Sequence, residues 1–448
     1  MKISTNNSNF KNRLISLPLF LLMLYATVST AQIKDYSELI SKKADMIEQK
    51  VIDWRHDIHQ NPELGNREFR TAALIAKHLE SLGIEVQTEV GVTGVVGILK
   101  GDKPGPVVAL RADMDALPVE EKNDLPFASK VKTTYNGNET YVMHACGHDG
   151  HVAILMGVAE ILTGMKSELR GTVKFIFQPA EEGAPKGEEG GAYLMTKEGV
   201  LENPKVDVIF GLHMDALTEV GQITYKPAGI MASVNDMKIT VKGIPAHGSS
   251  PWSGIDPIVI SAQIINNLQT IVSRNVTLTD NAAVVTIGAI NGGNRSNIIP
   301  EQVEMLGTIR TLTDEDETFV LKRIREIVEH TAKAGGATAT VEMPYSMRFP
   351  VTFNDEELTE MMLPTLEKSA GKENVTLISA ITGAEDFSYF AQKVPGLYFF
   401  VGAATKGADL KTVGDHHTPQ FFMDDSSFKT GVKTMCNLVF DYMELKSQ

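Results

Sequence analysis

The chain has 448 residues with a formal net charge of −14, and 43% of its residues are hydrophobic and 22% charged. It is long and apolar enough to bury full cores, and too acidic to favour nucleic acid or an anionic membrane surface. Its two cysteines, Cys146 and Cys436, exclude a disulfide-dense scaffold. Lys2, Lys11 and Arg13 precede an apolar run from Leu14 to Val28 and the small residues Ser29-Thr30-Ala31, which is the pattern of a signal peptide cleaved near Ala31-Gln32. That run is too short for a stable membrane anchor, so export to the periplasm or the medium is expected. Removing residues 1–31 leaves 417, and because the leader carries three basic and no acidic residues the net charge becomes −17. A single hydrophobic core usually supports roughly 250–300 residues, so two domains are expected.

Residues 37–60 and 67–83 have helical periodicity, separated by Asn61-Pro62 and stopped by Gly83. Short β-branched runs follow at Val92 to Leu99, Val107 to Ala112, Val173 to Gln178 and Val206 to Leu212, and helical patterns near 150–165 and 189–199 separate the later ones. This alternation predicts an α/β sheet. Asp113 and Asp115, Glu181 and Glu182, and His213 each follow one of these strands. Carboxyl ends of strands are where open α/β sheets bind ligands, so three loops are expected to meet at one crevice.

From 231 to 342 the pattern changes to strand 234–241, helix 257–272, strands 282–290 and 303–312, helix 317–333 and strand 338–342. This βαββαβ order predicts an inserted ferredoxin-like domain. Residues 32–230 and 343–448 then form the two parts of the first domain, with a helix near 355–370 and a closing helix at 425–445.

The densest chemical signal is Tyr141-Val-Met-His-Ala-Cys-Gly-His-Asp-Gly-His151. Cys146 and His148 can reach metal through a tight turn, and a thiolate can bridge two ions. The plainer alternative has His144, His148 and His151 lining a helix start, with Asp149 satisfying its N-terminus. A disulfide to Cys436 is also open, although Cys436 sits in an apolar helical pattern and reads as a core thiol. Glu181-Glu182 follows a buried-type strand, where one carboxylate can hold metal and the other can take a proton. His213 and His417 have ordinary structural readings as a core and a turn histidine.

The motifs His59-Gln-Asn-Pro-Glu-Leu64, Arg111-Ala-Asp-Met-Asp-Ala-Leu-Pro118, His144-Ala-Cys-Gly-His-Asp-Gly-His151, Pro179-Ala-Glu-Glu-Gly183, Ala246-His-Gly248, Asn297-Ile-Ile-Pro-Glu301 and Gly383-Ala-Glu-Asp-Phe387 occur in this order. On these the chain resembles the metal-dependent N-acyl-amino-acid amidohydrolases, the hippuricase, auxin-conjugate hydrolase and aminoacylase group related to carboxypeptidase G. The resemblance implies a zinc-peptidase-like α/β catalytic domain, with a central mixed sheet flanked by helices and an inserted lid and dimerisation domain. It implies two divalent ions (zinc, manganese, cobalt or nickel) on Cys146, His148, Glu182, His213 and His417. His417 is preferred to His416 because the family pattern is His-x-Pro.

The same resemblance makes Glu181 the general base and His247 an oxyanion stabiliser reaching a neighbouring subunit's site. Asn297, Arg310 and Glu385 are candidates for holding substrate, and Asp113, Asp115 and Asp386 for orienting ligands. The reaction implied is hydrolysis of the amide of an N-acyl amino acid by metal-bound hydroxide, in a homodimer or higher homo-oligomer. A dipeptidase or carboxypeptidase acting on short peptides is the enzymatic alternative. An exported peptide- or metal-binding protein is the non-enzymatic one.

Overall fold

The apolar run Val107 to Ala112 forms the middle of a strand, Lys103–Asp113, that lies at the centre of an eight-stranded mixed sheet in the computed structural model. Residues 34–277 and 282–447 are described, and the expected signal peptide lies outside them. Lys103–Asp113 runs parallel to Arg170–Gln178 on one side and Val208–Glu219 on the other, and Gly396–Ala404 runs parallel to Val208–Glu219. Gly94–Lys100 and Glu85–Val90 extend one edge in antiparallel fashion, and Ile223–Tyr225 and Val375–Leu377 complete the other. The inner strands are buried almost continuously, as expected for a parallel core covered on both faces.

Three helices cover one face. His148–Thr163 is buried along nearly its whole length because it lies between the sheet and the helices Ser37–Gln60 and Phe428–Leu445. Gly157 permits the close approach, since a Cβ there would meet Val51 Cγ2 at 2.9 Å. Cys436 lies within Phe428–Leu445 and is fully buried, and it and Cys146 are both unpaired, so the disulfide alternative falls.

The segment expected to be inserted contains Val234–Lys242, Pro257–Thr270, Ala283–Asn291, Gln302–Thr311, Asp314–Ala334 and Thr338–Glu342, in that βαββαβ order. Its strands form a separate antiparallel sheet with a hydrophobic core of its own, built from residues such as Ile239, Ile264, Met305, Ile324 and Val328. Asp256 and Thr313 start its two helices by accepting backbone N–H groups of the first turn. No helix among the described residues is long and apolar enough to cross a membrane.

One expectation is corrected. His213 does not follow its strand but sits inside it, because Val208–Glu219 continues past His213 paired to Gly396–Ala404, with Phe400 opposite His213. Met214 and Ala216 bury their side chains on the core side and sustain the pairing, a continuation hidden by the polar residues Asp215 and Thr218.

Candidate metal centre

Cys146 precedes Gly147, whose φ of +98° starts the helix beginning at His148; a Cβ there would crowd Met423 Sδ at 3.0 Å. Two imidazoles face this turn with their tautomers set by their far nitrogens. His148 Nδ1–H donates to Asp115 Oδ1 at 3.2 Å, and His213 Nδ1–H donates to the Met214 carbonyl at 2.8 Å. Each Nε2 is therefore the nitrogen turned inward. His213 Nε2 lies 3.5 Å from Cys146 Sγ, and His148 Nε2 is buried with no hydrogen-bond partner. His417, held by its N–H on the Ala145 carbonyl at 2.7 Å, brings Nε2 to 3.3 Å from the same sulfur. That nitrogen is also 3.0 Å from Glu182 Oε1, an ion pair that raises His417 and, against burial, lowers the Glu182 carboxyl.

These atoms form two triads of donors within 4.8 Å of one another, Cys146/His148/His213 and Cys146/Glu182/His417, joined by the sulfur they share; a third group, His148/Glu181/Glu182, bridges them. Inward imidazole nitrogens converging with a carboxylate on one buried sulfur make a donor set that cations would satisfy. Mixed thiolate, imidazole and carboxylate donors fit divalent transition ions, and the shared sulfur fits a pair of them. The electrostatics agree. Burial, then Glu182 and Glu181, push the Cys146 thiol well above its usual range. Burial would depress His148, but Asp113 and Asp115 hold it up at about 10. Burial, then Glu385 and Glu182, raise Glu181 strongly. Without cations these groups keep protons that metal would displace.

The neighbouring histidines have other tasks. His151 Nδ1–H donates to Asp113 at 2.6 Å and its Nε2 accepts from Met214 N–H at 2.9 Å, so neither nitrogen is available to metal. Ala216 N–H donates to His416 Nε2 at 3.3 Å, which leaves the proton on Nδ1; that N–H faces Cys146 Sγ at 3.8 Å as a donor. His416 thus presents a proton where His417 presents a nitrogen to both sulfur and carboxylate. His144 is buried with neither nitrogen partnered, and burial pushes it down to about 3. Asp149 accepts from Arg55 Nε and His59 Nδ1, both at 2.8 Å, rather than capping its helix.

Beneath Glu181 lies a residue given no role in the sequence reading. Arg111 is 1% exposed and donates to Asp113 (2.6 Å), Glu385 (2.8 Å), Asp386 (3.0 Å) and Gln178 (2.8 Å). A charged residue inside the apolar run Val107 to Ala112 was the signal for it. Glu385, expected to meet substrate, is 1% exposed, with Oε1 taken by Arg111 and Phe387 N–H and Oε2 by the Tyr398 hydroxyl. It braces this layer. Asp386 accepts from Gln178 and Ala192 N–H, and its own N–H reaches Glu181 Oε1 at 3.4 Å. Asp115 takes Glu182 N–H at 3.0 Å.

His247, Asn297 and Arg310 belong to the smaller layer. Ala246–His247 pairs with Ile298–Ile299, and Gly248 N–H donates to the Asn297 carbonyl at 2.8 Å, so His247 and Asn297 share one exposed ribbon. Arg310 is half-buried and bonds to Thr308 and the Ile309 carbonyl. Among the described residues no hydrogen bond or ion pair joins these three to the cysteine cluster.

The sequence profile of peptidase family M20/M25/M40 matches residues 109–441. The chain is 40% identical over 398 residues to thermostable carboxypeptidase 2 of Saccharolobus solfataricus, covering 89% of this chain and 96% of that one. It is 38% identical over 399 residues to an N-acetylcysteine deacetylase of Bacillus subtilis, covering 88% and 97%. Among solved structures, a dinuclear metal binding peptidase of the M20 family from Bacillus subtilis matches with a TM-score of 0.73 at 34% identity, covering 89% of this chain and 99% of that one. With the profile spanning most of the chain and the relatives aligned nearly end to end, the chain belongs to peptidase family M20/M25/M40.

Proposed function

We propose that this hydrolase cleaves the amide bond of N-acyl amino acids at a two-cation centre held by Cys146, His148, Glu182, His213 and His417. The observation that carries the reading is the buried Cys146 sulfur shared by two donor triads, with Glu181 alongside. Zinc, manganese, cobalt or nickel would suit these donors, and when bound would polarise the scissile carbonyl and acidify water. Glu181 takes the proton of the attacking water and delivers it to the leaving amine. Its Oε1 is steadied by Asp386 N–H, and its Oε2 lies 4.0 Å from His148 Nε2. The name of the Bacillus relative, an N-acetylcysteine deacetylase, and the dinuclear structural neighbour support the reading.

The test is amino-acid release from N-acetyl and N-benzoyl amino acids with manganese or zinc. Glu181→Gln is expected to lower kcat by about 10²–10⁴-fold with both metal equivalents retained on elemental analysis. An active variant would sink the assignment. The carboxypeptidase relative supports a second reading, cleavage of short peptides, which a dipeptide panel in the same assay separates.

Residues 231–342 serve, in this reading, as a lid and dimerisation domain. Trp252, at 82% exposed, and Val259 offer apolar surface for a second copy, and light scattering at twice the chain mass would check it. The leader pattern supports export, which a mature N-terminus at Gln32 would establish.

A further inference from the structure

Glu68 is fully buried just before the helix Phe69–Ser81, yet its side chain does not cap that helix. Glu63 takes the role instead, accepting Arg70 N–H at 2.9 Å and Thr71 N–H at 2.8 Å. Glu68 reaches across to the loop after Gln178, where Oε1 accepts Ala180 N–H at 2.8 Å and Oε2 accepts the Thr93 hydroxyl. Burying a carboxylate is unfavourable unless its bonds serve something specific.

What they hold is strained. Ala180 has φ of +52°, left-handed backbone that an L side chain disfavours and that persists only where surroundings impose it. Its methyl packs against Gly65 and Gly190, where added Cβ atoms would each come within 3.1 Å of it. The next two residues are Glu181 and Glu182. Asp115 holds Glu182 N–H and His148 Nδ1–H together, and Asp386 N–H reaches Glu181. Asp115 and Asp386 thus steady the far side of the turn, and Glu68 anchors its start.

We infer that Glu68 is a positioning residue that clamps Ala180 in its left-handed conformation and thereby aims Glu181 and Glu182 at the metal centre. This rests on the roles proposed above for that pair. Glycine adopts such a φ without strain, so Ala180→Gly should make the clamp dispensable.

The experiment compares metal equivalents after dialysis, kcat, KM and thermal unfolding in full-length variants. Glu68→Ala is expected to lower kcat by about 10–100-fold and to lose metal, while KM moves by less than about threefold. Adding Ala180→Gly should restore metal and recover about tenfold in kcat, the rate equivalent of relieving one left-handed alanine. Glu68→Gln keeps an acceptor for Ala180 N–H and should remain close to the parent. Glu68→Asp keeps the carboxyl group but not its reach, should fail like alanine, and serves if alanine does not fold. The clamp is overturned if Glu68→Ala or Glu68→Asp keeps full metal and rate, if Ala180→Gly recovers nothing, or if folded Glu68→Gln is as impaired as alanine. Metal content is read without substrate. An unreactive parent with this metal pattern would retain the clamp and reject the substrate reading.

Discussion

Replacing Arg111 with methionine should expose how much charge this fold balances beneath its reactive glutamate. One buried guanidinium compensates Asp113, Glu385 and Asp386, all of them at most 1% exposed. Removing one partner of a buried ion pair costs about 3–5 kcal/mol because the other charge is left uncompensated. Here Asp113 is left without its main counter-charge and the hydrogen bonds to Glu385, Asp386 and Gln178 go with it, so the upper end, about 5 kcal/mol, is expected; that is a large share of the roughly 5–15 kcal/mol that holds a domain folded. The pH dependence gives a second signature. In the parent, burial opposes ionisation of Asp113, but Arg111, then His148 and His151, hold its carboxyl well below the usual range. Its contribution is present above the unfolded value near pH 4 and is lost only in stronger acid. In the variant Asp113 loses the Arg111 charge while its burial remains, so its carboxyl rises, the folded state gains a proton as pH falls, and the deficit narrows from pH 8 to pH 5. Urea unfolding of chelator-treated parent and variant across that range measures both. A deficit under about 1 kcal/mol at pH 8, where a single neutral hydrogen bond would account for it, or one that does not narrow in acid, would refute the reasoning.

Two further predictions concern the cluster itself. Cys146→Ala removes the donor common to both triads, so bound metal should fall from two equivalents to below one, while Cys436→Ala, which trims a core thiol, should leave metal content unchanged; elemental analysis decides. His417→Ala should lose one equivalent, whereas His416→Ala should keep both and shift the sulfur-to-metal charge-transfer band of the cobalt-loaded protein by removing an N–H···S contact; equal metal loss in the two would contradict the tautomer assignment.

What is local could be read from the residues alone. Helical and strand periods located the long helices and strands such as Lys103–Asp113 and Arg170–Gln178, but not Gly396–Ala404 or the short edge strands, because period 3.6 and period 2 are written in neighbouring residues only where the run is long or β-branched. The spacing of Cys146 and His148 and the adjacency of Glu181 and Glu182 marked donors that one turn can deliver together. Tertiary structure decided the rest, because the deciding contacts join distant segments. Cys146 meets His213 across 67 residues and His417 across 271, and only that meeting makes its sulfur common to two sites. Which nitrogen each histidine presents depends on Asp115, Met214 and Ala216, none identifiable as a partner from its own surroundings. Arg111 and Glu68 look from sequence like a charge in a strand and a surface glutamate before a helix. They acquire their roles because folding removes water from around them and leaves one to balance three carboxylates and the other to hold a single backbone amide.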